Sequence, residues 1–177
     1  MKLSRFQWNV LIVMILVAGV AWTVAWRVPA GAAQATRDRA RRATPDFSLD
    51  TLDGGKFNLS EQVGHPVVVN FWATWCPPCR AELPALEQVY RNNRDKGLVV
   101  VGVDVAESRD VVAKYVAESS LTFPIALDAG GETTELYRIQ GMPTTFFVGR
   151  DGRIHNMVIG GPLSKAAIES QVAELMK

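Results

Sequence analysis

The stretch Val67-Val68-Val69-Asn70-Phe71-Trp72-Ala73-Thr74-Trp75-Cys76-Pro77-Pro78-Cys79-Arg80-Ala81-Glu82-Leu83-Pro84 decides how the rest of the chain is read. Val67 to Trp72 is a β-branched and aromatic run of the kind that forms a buried strand, and Leu83, Leu86, Val89 and Tyr90 recur downstream at helical spacing. The only two cysteines of the 177 residues therefore sit where a strand turns into a helix. Cys76 falls at the helix N-terminus, where unpaired N–H groups and the helix dipole favour a thiolate, which makes it the expected nucleophile. Pro77 and Pro78 fit the first turn, where a missing N–H costs nothing, and Cys79 follows on the same helical face. A pair so placed can close into a disulfide and reopen.

A purely structural bridge is a poor use of this spacing, because so small a loop constrains the unfolded chain little. Zinc wants four ligands, and beyond this pair the chain offers only His65 and His155, neither in a ligand-spaced motif. A dithiol in a strand-to-helix turn reads instead as a thioredoxin-like redox motif. Trp75 to Cys79, with Asn70-Phe71-Trp72-Ala73 before it and Glu82-Leu83-Pro84 after it, resembles the membrane-anchored thiol-disulfide oxidoreductases of the TlpA/ResA group of the thioredoxin superfamily. The resemblance runs from about Thr44 to the C-terminus and implies no cofactor beyond the redox disulfide itself.

An apolar fraction of 48% suffices for one substantial core, and one globular domain of about 130 residues is expected after the N-terminal segment. The formal charge of +1 is uneven: residues 1–43 hold seven basic side chains and one acid, leaving twelve basic against seventeen acidic, a net −5, in residues 44–177. An acidic domain without a basic stripe is a poor nucleic-acid binder, and a monomer is expected.

Val10 to Trp26 carries no charge and only one polar residue, Thr23, which is the short end of a bilayer span. Trp8, Trp22 and Trp26 near its ends suit the membrane interface. Residues 1–28 are therefore read as an uncleaved transmembrane anchor, with a cleaved signal peptide as the alternative, since Ala30-Gly31-Ala32 and Ala33-Gln34-Ala35 resemble cleavage sites. Residues 29–43, rich in Ala and Arg, read as a flexible tether, and residues 44–177 as the thioredoxin-like domain.

Counted literally, positive charge is heavier after the span (Arg27, Arg37, Arg39, Arg41, Arg42) than before it (Lys2, Arg5), which puts the domain in the cytoplasm. The resemblance implies the opposite, a single-pass protein of the cytoplasmic membrane with its domain on the outer, periplasmic face. The arginine cluster begins about ten residues beyond the span, where its weight in setting topology falls.

Within the domain, Phe47-Ser48-Leu49 and Lys56-Phe57-Asn58-Leu59 flank Asp53-Gly54-Gly55, a hairpin signal. Leu98 to Val105 suits a central parallel strand, Ser108-Arg109-Asp110 opens a helix, Phe123 to Leu127 is a short strand and Thr133 to Tyr137 a short helix. Thr144 to Val148 and Arg153 to Ile159 form a last hairpin around Arg150-Asp151-Gly152, and Ser164 caps a closing helix. The expected fold is α/β, a mixed central sheet flanked by helices. The first hairpin and the strand and helix after Phe123 resemble the N-terminal extension and central insertion of the TlpA/ResA group.

In dithiol exchange a thiolate attacks a substrate disulfide, and the second thiol then displaces the product from the mixed disulfide. Cys76 is expected to attack and Cys79 to resolve. Small thioredoxins keep an aspartate six residues before the first cysteine as a base for the second, but here that position is Asn70. Glu82, three residues after Cys79 on the same helical face, matches the buried active-site glutamate of ResA-like proteins and is the replacement candidate; otherwise it is a solvated first-turn carboxylate that suits the dipole.

Gly141-Met142-Pro143-Thr144 is by itself an edge or turn signal. Its resemblance to the cis-proline loop of thioredoxin folds implies that Met142, Pro143 and Thr144, with Trp75 and Pro77, contact an extended substrate. Cytochrome c-maturation reductases of the CcmG type carry a glutamate where this chain has Thr144. Trp72 and Trp75 suit core and rim packing as well as substrate contact, and Pro84 suggests a helix kink.

The resemblance implies a reductant of specific protein disulfides. Its clients would be apocytochrome c or the copper-site cysteines of an oxidase subunit, and its electrons would come from a membrane thiol transporter of the CcdA/DsbD type. Two other readings compete. Peroxiredoxins need a proline seven and a threonine three residues before the reactive cysteine, where this chain has Val69 and Ala73. A copper-binding module would use the same cysteines as soft ligands, but copper chaperones place a methionine where this chain has Thr74.

Overall fold

The structure, a computed structural model, describes residues 43–177 and, ahead of them, Met14 alone. The expected membrane anchor (1–28) and tether (29–43) thus lie outside the described residues save for Met14 and Ala43. Among the described residues no helix is long and apolar enough to cross a membrane.

The chain forms β1 (Ser48–Asp50), β2 (Lys56–Asn58), β3 (Val67–Trp72), α1 (Pro77–Asn93), β4 (Val99–Val105), α2 (Arg109–Ser119), β5 (Ile125–Asp128), α3 (Glu132–Leu136), β6 (Thr144–Val148), β7 (Ile154–Ile159) and α4 (Lys165–Leu175), in that order. These elements match the sequence reading to within two residues at most ends. β1 and β2 pair alone as a hairpin, and the main sheet has the order β5-β4-β3-β6-β7. β3, β4 and β5 run parallel, β6 is antiparallel to β3, and β7 to β6. The sheet is mixed, as expected.

Topology decides which face each helix covers. The crossovers β3-α1-β4 and β4-α2-β5 step in the same direction across the sheet, so the right-handed rule puts both helices on one face. Val68 and Trp72 of β3 point to that face and share a core with Cys79, Leu83, Leu86 and Val89 of α1, Val112 of α2 and Ile168 and Val172 of α4. The alternate residues Val67, Val69 and Phe71 point the other way, into a core with Phe47, Phe57, Leu59 and Tyr137. Helices thus dominate one face, whereas the β1-β2 hairpin and the end of α3 cover the second.

The hairpin also protects a sheet edge. Thr51 bridges to Ala126 of β5, and the Leu52 N–H donates to the Ile125 carbonyl at 2.9 Å. Arg109 of α2 fastens the same turn, donating to the Thr51 and Leu52 carbonyls at 3.0 and 2.7 Å. An edge so covered offers no row of free backbone groups to another chain. At the other end of the domain Ala43 bridges to Arg153, so the chain is pinned from the start of the 43–177 stretch.

One local detail departs from the sequence reading. Ser108 precedes α2 without a side-chain capping bond, whereas Ser164 accepts from the Ala167 N–H at 3.2 Å as expected. Helix α1 contains Pro84, as expected, with its ring on the exposed side.

Gly102 of β4 makes room for the indole of Trp72. A Cβ there would meet Trp72 Nε1 at 2.9 Å and side-chain carbons of Ile125 and Phe123 at 3.0 Å. Gly102→Ala is expected to destabilise the protein by about 1–3 kcal/mol through overpacking, read as a lowered urea midpoint at unchanged m-value.

Candidate active site

Strand β3 ends at Trp72, and four residues later Cys76 is the N-cap of α1 with extended backbone angles. The turn is held by the Cys76 N–H donating to the Ala73 carbonyl at 3.2 Å, while the Arg80 N–H donates to the Cys76 carbonyl at 3.1 Å. Pro77 and Pro78 fill the first two helical positions and leave the Cys79 N–H to point at Cys76 Sγ, 3.3 Å away. That donor stabilises charge on the sulfur when the pair is reduced. Cys76 and Cys79 are disulfide-bonded, as the spacing allows.

The bond is almost closed off: Cys76 is 4% and Cys79 1% exposed, whereas the neighbouring Trp75 is 64% exposed. Trp75 and Pro77 form the rim over the bond. The Met142–Pro143 peptide is cis, and Met142 packs against the core that contains both cysteines. Thr144 is buried, and its hydroxyl donates to the Gly141 carbonyl at 2.6 Å, so its side chain secures the loop and does not face solvent. The Gly160 N–H donates to the Pro143 carbonyl at 2.8 Å and fixes the other side of the loop.

Glu82 lies one turn beyond Cys79 and is 1% exposed. One carboxyl oxygen accepts from Asn70 Nδ2 of β3 and from the Thr145 hydroxyl of β6, each at 2.9 Å; the other accepts from the Leu163 N–H at 2.7 Å. Asn70 Nδ2 also donates to Thr145 at 2.8 Å. Burial pushes the Glu82 pKa above the ordinary carboxylate range, and the three hydrogen bonds pull it partly back. Asn70, at the position of the thioredoxin aspartate, is therefore a donor to the carboxyl that occupies this site. Sequence reasoning missed Thr145 and Leu163, which lie 63 and 81 residues away and carry no motif.

It also missed Glu107, in the loop after β4, which accepts from both the Thr74 N–H and the Thr74 hydroxyl at 2.6 Å. Val69 and Ala73, where a peroxiredoxin needs proline and threonine, are fully buried apolar residues with no hydroxyl to offer. Among the described residues no cluster of three or more His, Cys, Asp or Glu side chains could hold a metal ion.

A disulfide-bonded cysteine pair at the start of one helix, with a cis-proline loop packed against the same core, fits a thiol-disulfide oxidoreductase of thioredoxin type. Residues 40–157 match the model of the AhpC/TSA family. The thiol-disulfide oxidoreductase ResA of Oceanobacillus iheyensis is 36% identical over 168 residues, covering 90% of this chain and 83% of its own. Among solved structures, a thiol:disulfide interchange protein of the thioredoxin family from Chlorobium tepidum superposes with a TM-score of 0.69 at 32% identity, covering 77% of this chain and 97% of its own. A secreted Mycobacterium tuberculosis disulfide oxidoreductase, described as homologous to E. coli DsbE, gives 0.68 at 30% identity and covers 73% and 96%. The chain belongs to the AhpC/TSA family and, within it, to the ResA-type thiol-disulfide oxidoreductases.

The hydrogen bonds to Glu82 favour its charged form, so removing one should raise its pKa further. Thr145→Val is expected to shift the Glu82 carboxyl titration to higher pH, read by NMR on the chain carrying 13C-labelled glutamate. An unmoved or lowered titration would mean that the Thr145 hydroxyl is not a net donor to Glu82.

Proposed function

We propose that the protein is a membrane-tethered reductant of specific protein disulfides, working outside the cytoplasmic membrane. The observation that carries this reading is the buried Glu82 carboxyl, pushed to a raised pKa one helical turn from a nearly closed disulfide. Resolution of a mixed disulfide requires Cys79 to lose a proton, and a carboxylate whose pKa is raised is a better acceptor than an ordinary one. In this mechanism Cys76, favoured as thiolate by the helix N-terminus, attacks the client disulfide and forms a mixed disulfide. Glu82 takes the Cys79 proton, Cys79 displaces the client as a dithiol, and the Cys76–Cys79 bond closes.

Selectivity follows from access. A bond 4% exposed at its nucleophilic cysteine admits a client only as a narrow extended segment laid along the Met142–Pro143 loop, with Trp75 and Pro77 against its flanks. Clients of this description include the haem-binding cysteines of apocytochrome c and the copper-site cysteine pair of an oxidase subunit. The apolar run from Val10 to Trp26 supports a single-pass anchor. Reduction in an oxidising compartment then needs electrons carried across the membrane, by a thiol transporter of the CcdA/DsbD type.

The reduction potential of the full-length chain, equilibrated against defined thiol buffers, is expected near or below about −230 mV. A value near about −120 mV would make the protein an oxidant and overturn the reading. A Cys79→Ser variant is expected to trap clients as mixed disulfides on Cys76, because the resolving thiol is gone.

A further inference from the structure

Beside the active-site loop lies a buried acid that dithiol exchange does not use. Asp104, on β4 directly opposite Trp72 of β3, is 0% exposed, and its carboxyl meets the carboxyl and the backbone N–H of Glu107. An ionised carboxylate in that position would be a buried charge beside a second acid, with one backbone N–H in its favour. The charged groups that face it are both acids: Glu107, from the loop that follows β4, and Asp128, at the end of β5. The oxygens of Asp128 are taken up by the N–H groups of Thr133 and Thr134 and by the Thr134 hydroxyl. Glu107, which meets the Asp104 carboxyl directly, is the group that senses its charge. Burial first, and Glu107 second, push the Asp104 pKa up to about 8.

Glu107 is in turn tied to the redox centre. The backbone of Ala106 is left-handed, with φ 59°, an uncommon conformation for a residue with a side chain, and its N–H is fixed to the Asp128 carbonyl at 3.1 Å. The chain turns there, and Glu107 grips Thr74 at two points, backbone and hydroxyl, both at 2.6 Å. Thr74 lies between Ala73, whose carbonyl holds the Cys76 N–H, and Trp75 on the rim of the disulfide.

We propose that Asp104 and Glu107 are positioning residues for disulfide exchange, Glu107 holding the Thr74 loop in its reactive geometry while Asp104 stays neutral. When Asp104 loses its proton, a fully buried negative charge faces the half-buried Glu107 carboxyl, and Glu107 swings away from Asp104. Its two-point grip on Thr74 breaks, and the loop that carries Trp75 and Cys76 loses its fixed geometry. The domain thus contains a proton-dependent control on exchange rate that is separate from Glu82. The proposal rests on the dithiol chemistry alone, so an oxidising potential would leave it standing.

The test is the rate at which dithiothreitol reduces the oxidised full-length chain, in wild type and in Asp104→Asn, as a function of pH. In this reaction the reagent's two thiols deliver two electrons, breaking the Cys76–Cys79 bond and closing the cyclic disulfide of the reagent. Taking the ratio of the two proteins cancels the reagent's own ionisation. The ratio of wild type to variant is expected to hold constant below about pH 7 and to fall about three- to tenfold as Asp104 ionises through about pH 8, the factor for losing one or two hydrogen bonds. Glu107→Gln, which can accept at only one oxygen, is expected to be slower at every pH by a similar factor. If either variant fails to fold, Thr74→Val removes the hydroxyl half of the same grip and is expected to slow reduction about threefold. A ratio flat from pH 6 to 9, or wild-type rates in the Glu107 and Thr74 variants, would overturn the proposal and leave Asp104 a carboxyl that affects stability only.

Discussion

A carboxyl group buried at 1% exposure must find hydrogen-bond donors, and the active-site end of this domain is assembled around that requirement at Glu82. Its donors come from three separate places: Asn70 in the central strand, Thr145 in the strand antiparallel to it, and the backbone of Leu163 in the loop before α4. Satisfying one side chain therefore fixes α1 against β3, β6 and the approach to the last helix. The same arrangement carries both cysteines on α1 and the cis-proline loop at the start of β6.

A second buried glutamate on α1 shows that the necessity is general and the chemistry is not. Glu87 accepts from the Thr122 N–H and hydroxyl at 2.8 and 2.6 Å and pairs with Arg91. It fastens α1 to the turn before β5, with a cation at hand and no sulfur near it. Glu82 has only neutral donors, so burial wins over the hydrogen bonds and its pKa rises. At the less enclosed Glu87 the Thr122 bonds, joined by Arg91, outweigh burial and hold its pKa below the ordinary value, so the two carboxyls of one helix are driven in opposite directions.

The asymmetry of the two sheet faces has a related logic. Two crossovers in the same direction must lie on one face, so the return from β5 to β6 crosses the other. The short α3 alone is too small to cover that face, and the aromatic cluster of Phe47, Phe57, Phe71, Tyr137 and Phe146 fills it. Three of these rings come from sheet strands or the end of α3, and two come from the N-terminal hairpin segment. The extension ahead of the redox core is thus a packing requirement of this topology as well as a cover for the β5 edge.

The chain's own sequence determined the strand-turn-helix at Cys76, the order of the elements and both hairpins, because these depend on neighbours within a few residues: apolar periodicity, glycine turns and prolines that fit a first helical turn. It also placed Glu82 on the face of Cys79, since helical spacing is local. Whether that face was wet or dry could not be read, because burial depends on what folds over it from 63 and 81 residues away. Glu107 and Asp104 carried no signal for the same reason: one acid after an apolar strand reads as a loop and one acid inside it as part of the strand, and only the pairing of β4 with β3 brings them to the active-site turn. Local physics wrote the cysteine motif, and tertiary packing chose which acids surround it and which of them keep their protons.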